Sequence, residues 1–464
     1  MEVKTTQGGF IIVGQTIQTL SAIVKRIPQG TNLNLVILMW TMISGGLLES
    51  RGAIFPALKA RGFSKEAIRR VWNSLRYGKW SMFRLLRAWH DHVETEDNWQ
   101  AVDREGYSIH VADMSHFHRP TLKNWLSKGF HHLAGKAVPS HSVGILAKVG
   151  HIGNQRLAII QRLETSKEKD DGEQAVKQSL LSRLAKQEGT KKLTVFDAGF
   201  RLLDIQTAGV KQYVVRLAKN ATARRNYLPK YAGRGTPPKW GAKVYPLARK
   251  HKDTTKAASI ADETATFTID KRTIQVDIWH HLVRPDLKPH KDNPCFSIMV
   301  FHDPAYTQPL VLAVSIKLQP ETVFRCYRDR WTVEQIPLAT KQMIGVHRLF
   351  VFQFDSCMRL IQLALLAGNV LSYLAASMDP IPSGFWDCHP KKRLGAYAEP
   401  WLSRIFLKTF VIFRNLRKKI RLQTILRRAL RLIAGETLLN RPILPDLVFS
   451  FSAYPSSTSR PLAC

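Results

Sequence analysis

Acidic residues are scarce in this sequence: 35 Asp and Glu stand against 69 Lys and Arg, a formal net charge of +34. An imbalance of that size points to a polyanionic partner, either nucleic acid or an acidic membrane surface. Cysteine is scarcer still. Cys295, Cys326, Cys357 and Cys388 follow one another at 31-residue intervals, with Cys464 at the end. Their flanks (NPCFS, FRCYR, DSCMR, WDCHP) share nothing, so the spacing is not a repeat. The absence of any CxxC pair argues against a disulfide framework or a structural zinc site and for a reducing cytosol. The opening MEVKTTQGGF lacks the pattern of a signal peptide. Long clean apolar runs are also missing. Residues 35–48 (LVILMWTMISGGLL) contain a Gly-Gly pair, and residues 360–376 are interrupted by Gln362 and Asn369 and preceded by Arg359. Both fall short of the roughly 20 apolar residues a membrane span needs, and both read as buried core helices.

What the chain does have is bulk. With 464 residues, 45% of them hydrophobic, it is long enough to bury one large core or two to three smaller ones. Residues 1–95 carry apolar positions at three- and four-residue spacing among many basic ones and read as a helical, DNA-binding N-terminal region. Within it, AIFPALKARGFSKEAIRRVWNSL (residues 53–75) reads as helix, tight Gly-Phe turn, Ser64 as N-cap, and a second helix bearing Lys65, Arg69 and Arg70. That is the form of a DNA-reading helix-turn-helix, and equally of a plain helical hairpin. Residues 96–204 alternate short β-like runs with a helix, the mark of a mixed α/β domain. Between 205 and 315 strand-like segments dominate, separated by the basic loop YAGRGTPPKWGAK, and the span reads as a β-rich insertion. Residues 316–390 return to helix and close the α/β part. The last region, 391–464, opens with a tract of 13 basic residues and one acid between 391 and 431, for which contact with a nucleic-acid backbone is the expected use.

In so basic a chain an acid at the end of an apolar strand stands out, because a buried carboxylate needs a cation to compensate it. SIHVAD ends at Asp113, LTVFD at Asp197 and SIMVFHD at Asp303. The last precedes Pro304 and reads as an ordinary turn, which leaves Asp113 and Asp197. A third acid lies in CYRDRWTVEQIPLATKQMIG (residues 326–345). On a helix turning about 100° per residue, Tyr327, Arg330, Glu334 and Lys341 fall at about 0°, 300°, 340° and 320°, one face about 60° wide. Arg330 and Glu334 make a plausible surface ion pair. The phenol and the lysine on the same face suit a site for a divalent ion and a phosphodiester together. Pro337 predicts a kink between Glu334 and Lys341. His110, His116 and His118 cluster near Asp113, but no second cluster completes a zinc site, and local hydrogen bonding is their expected role.

The spacing Tyr327-x2-Arg330-x3-Glu334-x6-Lys341 resembles the Y-R-E-K signature of the DDE transposases of bacterial insertion sequences of the IS-four type. HVADMSHF is similar to that family's first-aspartate strand, VFDAGF to its second, and CYRDRWTVEQ to its glutamate helix; the likeness covers about residues 105–375. The resemblance implies a ribonuclease H-like core interrupted by a β-rich insertion. Asp113 and Asp197 would end neighbouring strands, and Glu334 would project from a following helix. It further implies Mg²⁺, or Mn²⁺ in its place, held by those three acids. Tyr327, Arg330 and Lys341 would contact DNA phosphates. If a base is flipped out, Trp279 or Trp240 would be its stacking platform; each otherwise reads simply as a core or loop tryptophan. The implied partners are double-stranded DNA, as terminal inverted repeats and target, and a second copy of the chain on DNA, with no membrane and a cytoplasmic, nucleoid-associated location. The alternatives are a metal-dependent nuclease of the same fold without transposition, and a DNA-binding protein that has lost catalysis.

Overall fold

The computed structural model describes residues 2–119, 127–168, 171–186, 189, 191–231, 233, 235–251, 254–346 and 349–380, with the side chains of 2–12, 132, 250, 251 and 254 left aside. The basic tract at 391–431, the rest of the expected C-terminal region to 464, and Cys388 and Cys464 lie outside these residues. The chain opens with α1 (Glu2–Val24), α2 (Thr31–Ile43), α3 (Gly46–Glu49), α4 (Ile54–Ala60), α5 (Lys65–Tyr77) and α6 (Met82–Glu94). Ser64 caps α5 as expected, its hydroxyl accepting from the Ala67 amide, and Lys65, Arg69 and Arg70 are exposed. The apolar run at 35–48 supplies α2, most of which is buried.

The central sheet begins with β1 (Trp99–Ala101), β2 (Asp103–Arg104), β3 (Tyr107–His118), β4 (Lys128–His131), β5 (Lys136–Ile152) and β6 (Gln155–Thr165). It continues past α7 (Glu173–Lys186) with β7 (Lys192–Phe196), then α8 (Leu202–Thr207) and β8 (Tyr213–Arg216). β5 pairs antiparallel with β6 and with β3, whereas β3, β7 and β8 run parallel to one another. Then come β9 (Ala223–Arg225), β10 (Lys243–Val244), β11 (Arg249–His251), β12 (Thr254–Lys256), β13 (Glu263–Ile269), β14 (Arg272–Val283), β15 (Phe296–His302) and β16 (Leu310–Val314). These strands pair antiparallel throughout; β11 and β12 form a separate two-stranded sheet, and β16 joins the rest to β8. The architecture is therefore mixed α/β, as expected. A boundary at 205, however, falls ahead of a strand of the mixed part: β8 lies at 213–216 and its parallel ladder to β7 crosses that point. The disappearance of helices from the sequence does not mark a break in the sheet.

α9 (Pro320–Asp329), α10 (Trp331–Gln342) and α11 (Phe354–Ser377) complete the fold. Side chains alternate across a strand, and the sheet accordingly separates two cores. Ile109, Val111, Leu193, Val195 and Val214 pack with α2, α6, α10 and α11. Ala112, Phe196 and Val215 face the other way, onto α7 and α8. α11 is long and apolar enough to cross a membrane but is mostly enclosed by protein. The two polar interruptions in its sequence explain themselves. The fully buried Asn369 accepts from Trp89 Nε1 at 2.9 Å and from the Ile160 amide at 3.0 Å, and donates to the Ala158 carbonyl at 2.7 Å, tying α6 and β6 to α11. Gln362 donates to Thr165 Oγ1 at 3.1 Å. α10 lies close on α11: a Cβ at Gly368 would come within 2.6 Å of Thr340 Oγ1, so the glycine permits the contact.

Candidate active site

Alternation along the strands decides which side chains meet. Asp113 and Ser115 share the parity of Ile109 and Val111 in β3. Asp197, the first residue beyond β7, shares that of Leu193 and Val195, and Arg216 in β8 shares that of Val214. All four therefore sit on the sheet face covered by α9, α10 and α11, at the end where the apolar runs stop.

The helices deliver the other half. Arg330 is the single residue between α9 and α10. Its Nη2 lies 2.7 Å from Glu334 Oε1 and 4.0 Å from Asp197 Oδ1. The Tyr327 hydroxyl donates to Asp197 Oδ1 at 3.0 Å, and the Arg330 guanidinium stands 5.3 Å from the Tyr327 ring centre. Asp113 Oδ1 accepts from the Met114 amide at 2.8 Å. Pro337 lies inside α10 without ending it, and Lys341, beyond it, still reaches the sheet: its Nζ donates to Ser115 Oγ at 3.0 Å. The structure thus brings Asp113, Asp197, Glu334, Tyr327, Arg330 and Lys341 to one place. The single helical face read from the sequence is in fact two helices meeting at Arg330.

The electrostatics follow from this crowding. Burial is the main cause that pushes the Asp113 carboxyl up to about 6; the Met114 amide and Arg330 oppose it, while Glu334 and Asp197 reinforce it. Burial also raises the Tyr327 phenol, with Asp197 adding to the effect, and lowers the Lys341 ammonium against the attraction of Asp113. For Arg330 burial disfavours the charge, yet Asp197, Tyr327 and Glu334 together hold the guanidinium above its ordinary value. Arg330 is only 5% exposed, and its Nε and Nη1 have no hydrogen-bond partner among the described residues. Unpaired donors on a buried guanidinium are costly, and an oxyanion is the ligand that its planar fork matches.

Three polar groups here escaped the sequence reading. Arg216 Nη1 stands 3.9 Å from Asp197 Oδ1, Ser115 holds Lys341, and the fully buried Asp329 is paired with two arginines beside Arg330. Arg216 was accessible in principle, because YVVR runs in register with TVFD one strand away, but only once β8 is assigned to the mixed part of the sheet.

Trp279 is a correction. It is 1% exposed, with its Nε1 donating to the Ile260 carbonyl at 2.9 Å, so its ring is filled-in core and presents no face for a base. Trp240 is partly exposed, with Arg224 and Lys288 over its ring. The histidines are locally bonded: His110 to Ser108, His116 to Ser142 and Glu173, His118 to the Phe130 carbonyl.

Among the described residues no three His, Cys, Asp or Glu side chains come close enough together to hold a metal ion as they stand. Arg330 lies between Glu334 and Asp197 and takes the position of counter-charge. The donor chemistry of the three acids, all oxygen, nevertheless fits a hard divalent cation. The chain matches no protein-family model and no curated protein.

Proposed function

We propose that the chain is a DNA transposase built on a ribonuclease H-like core, cutting phosphodiester bonds at transposon ends and joining the freed 3′ end to target DNA. The observation that carries this reading is the convergence of Asp113, Asp197 and Glu334 around a buried arginine with two unpaired donors. The parallel pairing of β3 with β7 and the later helix bearing Glu334 support the fold: Asp197 follows the end of β7 as expected, whereas Asp113 lies inside β3, one residue past the last parallel rung, because β3 runs on to His118 against β5. The net charge of +34 supports a DNA partner.

Asp113, Asp197 and Glu334 would hold Mg²⁺ or Mn²⁺, which supplies activation of the attacking water or 3′-hydroxyl and stabilisation of the leaving oxygen. The protein's own groups do the rest. Arg330 turns its Nε and Nη1 donors to non-bridging oxygens of the phosphate, and in shifting from Glu334 it frees that carboxylate. Tyr327 leaves Asp197 to donate to the same backbone, while Lys341, steadied by Ser115, meets a neighbouring phosphate. Two copies pairing two transposon ends, in a cytoplasmic, nucleoid-associated setting, complete the proposal.

The test is incubation with Mg²⁺ and a duplex carrying the terminal inverted repeat that brackets the reading frame. Cleavage confined to the repeat end and lost in Asp113→Asn and Glu334→Gln is expected. Cleavage that is indifferent to the repeat indicates a nuclease without transposition, and unchanged cleavage in both variants overturns the site.

A further inference from the structure

The residue just before Arg330 stands between two arginines. Asp329 is 0% exposed, and its Oδ2 accepts from Arg104 Nε at 3.1 Å and Nη2 at 2.9 Å, while Arg156 Nη1 lies 2.8 Å from Oδ1 as an ion pair without the alignment of a hydrogen bond. The two arginines come from different places. Arg104 belongs to β2, in the hairpin that leads into β3, and Arg156 stands at the start of β6. The hairpin turns through Glu105 and Gly106, both at positive φ, with the Gly106 amide donating to Asp103 Oδ1. That turn carries Glu105 to the other end of α9, where Oε1 accepts from the Gln319 amide at 3.1 Å. One hairpin therefore grips α9 at both ends, and the strand it feeds is the one bearing Asp113.

We propose that Asp329 is a positioning residue for Arg330. Consecutive residues on a helix project about 100° apart, so an anchor on Asp329 sets the direction of Arg330 across the α9–α10 junction. The junction needs one. The Arg330 amide divides its bond between the Cys326 and Tyr327 carbonyls, and the Val333 amide reaches back only three residues to Arg330. With Asp329 clamped to β2 and β6, the guanidinium of Arg330 and the Tyr327 phenol are held against Asp197 and Glu334. A buried carboxylate between two guanidinium groups is a costly way to obtain stability alone. Its position, one residue from the phosphate-facing arginine, gives it a further purpose.

The inference rests on the proposed cleavage activity for one of its two readouts. Asp329→Asn, the milder Arg156→Gln (Arg156 is partly exposed and leaves Arg104 in place), Arg330→Ala and the Asp329→Asn/Arg330→Ala double variant are compared in full-length protein. Thermal melts identify which of them fold. The first readout is Mg²⁺-dependent cleavage of the inverted-repeat duplex. Asp329→Asn and Arg156→Gln are expected to lower kcat by about 10- to 100-fold with KM little changed. In the Arg330→Ala background the added loss from Asp329→Asn should be under about two-fold, because a residue that acts through another adds nothing once that other is gone. The second readout needs no activity: the side-chain N–H resonance of Arg330 in ¹⁵N-arginine-labelled protein. It should be resolved and slow to exchange in the wild type, and broadened or lost in folded Arg156→Gln or Asp329→Asn while other arginine signals persist. Fully additive kinetic losses, or an unchanged Arg330 resonance in a folded clamp variant, overturn the proposal. A wild-type chain that cuts no DNA would refute the transposase reading, and the resonance would then decide the positioning role by itself.

Discussion

Asp303, in the antiparallel half of the sheet, and Asp113, in the mixed half, are treated in opposite ways. In the antiparallel half every strand acid that attracts notice has a local partner: Asp303 receives Arg272 at 3.1 Å and the Ala305 amide at 2.9 Å, Asp262 receives both terminal nitrogens of Arg225, and Asp277 pairs with His302 at 2.9 Å. In the mixed half Asp113 has one backbone amide and, nearby, two more carboxylates that make its charge harder to hold. An acid matched by its neighbours on the sheet is part of the fold. One left among other acids is a cost the fold bears for another reason, and the comparison separates Asp303 from Asp113 although both close an apolar run in the sequence.

That contrast is open to attack, and the strongest attack is on catalysis. Asp113→Asn and Glu334→Gln should each lower cleavage by about 10³-fold, and Asp113→Asn, which removes one of several repelling charges and breaks no ion pair of its own, should leave the melting temperature unchanged or raised. A drop in stability as large as the drop in rate would erase the distinction. Arg272→Ala should do the reverse: it strips the buried Asp303 carboxylate of its cation and costs about 2 kcal/mol in urea unfolding, with cleavage of folded protein retained. Lys341→Ala, which touches the site through Ser115 but carries no metal-facing acid, should weaken duplex binding by about 1 kcal/mol. The slope of log affinity against log salt should also fall by about 1, read by fluorescence anisotropy across a salt series. The smallest effect concerns Glu173, on the far side of the sheet. Its hydrogen bond with His116, and then Lys177, holds the carboxyl down to about 2 against an ordinary 4.5. A depressed folded value gives stability that is present above 4.5 and lost as pH falls toward 2. Because Glu173 is about one-third exposed, solvent screening keeps the contribution well under about 1 kcal/mol. Glu173→Gln should therefore narrow, slightly, the difference between melts at about pH 6 and about pH 3.

Much of the site was legible because its members are local signals. Asp113 and Asp197 each close an apolar run, and Arg330 and Glu334 are one turn apart, so strand ends and helical spacing are enough to single them out. The core helices 31–43 and 354–377 were likewise readable, the first from a run too short for a span and broken by Gly-Gly, the second from Gln362 and Asn369 within its apolar stretch. What could not be read depends on contacts distant in sequence. The pairing of Arg104 and Arg156 with Asp329 joins segments more than 170 residues apart, and nothing in CYRDRW distinguishes that aspartate from a solvated one. Trp279 misled for a related reason: a tryptophan in an alternating strand has two faces to choose from, and here it took the inner one. The expected kink at Pro337 concerned a hydrogen bond inside one helix. Packing of α10 on α11 through Thr340 and Gly368, together with the Ser115–Lys341 contact, keeps the helix end where it is needed.

The seam between β8 and β16 has a consequence for the chain as a physical object. Three rungs, Leu312 with Arg216, Ala313 with Val215 and Val314 with Val214, join the antiparallel half to the parallel strands, flanked by the Leu217 amide donating to the Val311 carbonyl and the Ser315 amide to the Tyr213 carbonyl. They also occupy what would otherwise be a bare border of the parallel strands. Excising the antiparallel half would uncover the peptide groups of Tyr213–Arg216 as a template for another chain. A shortened protein made that way should be lost to precipitation before its chemistry could be assayed, so the antiparallel half also serves as the cover that keeps the molecule apart from its own copies.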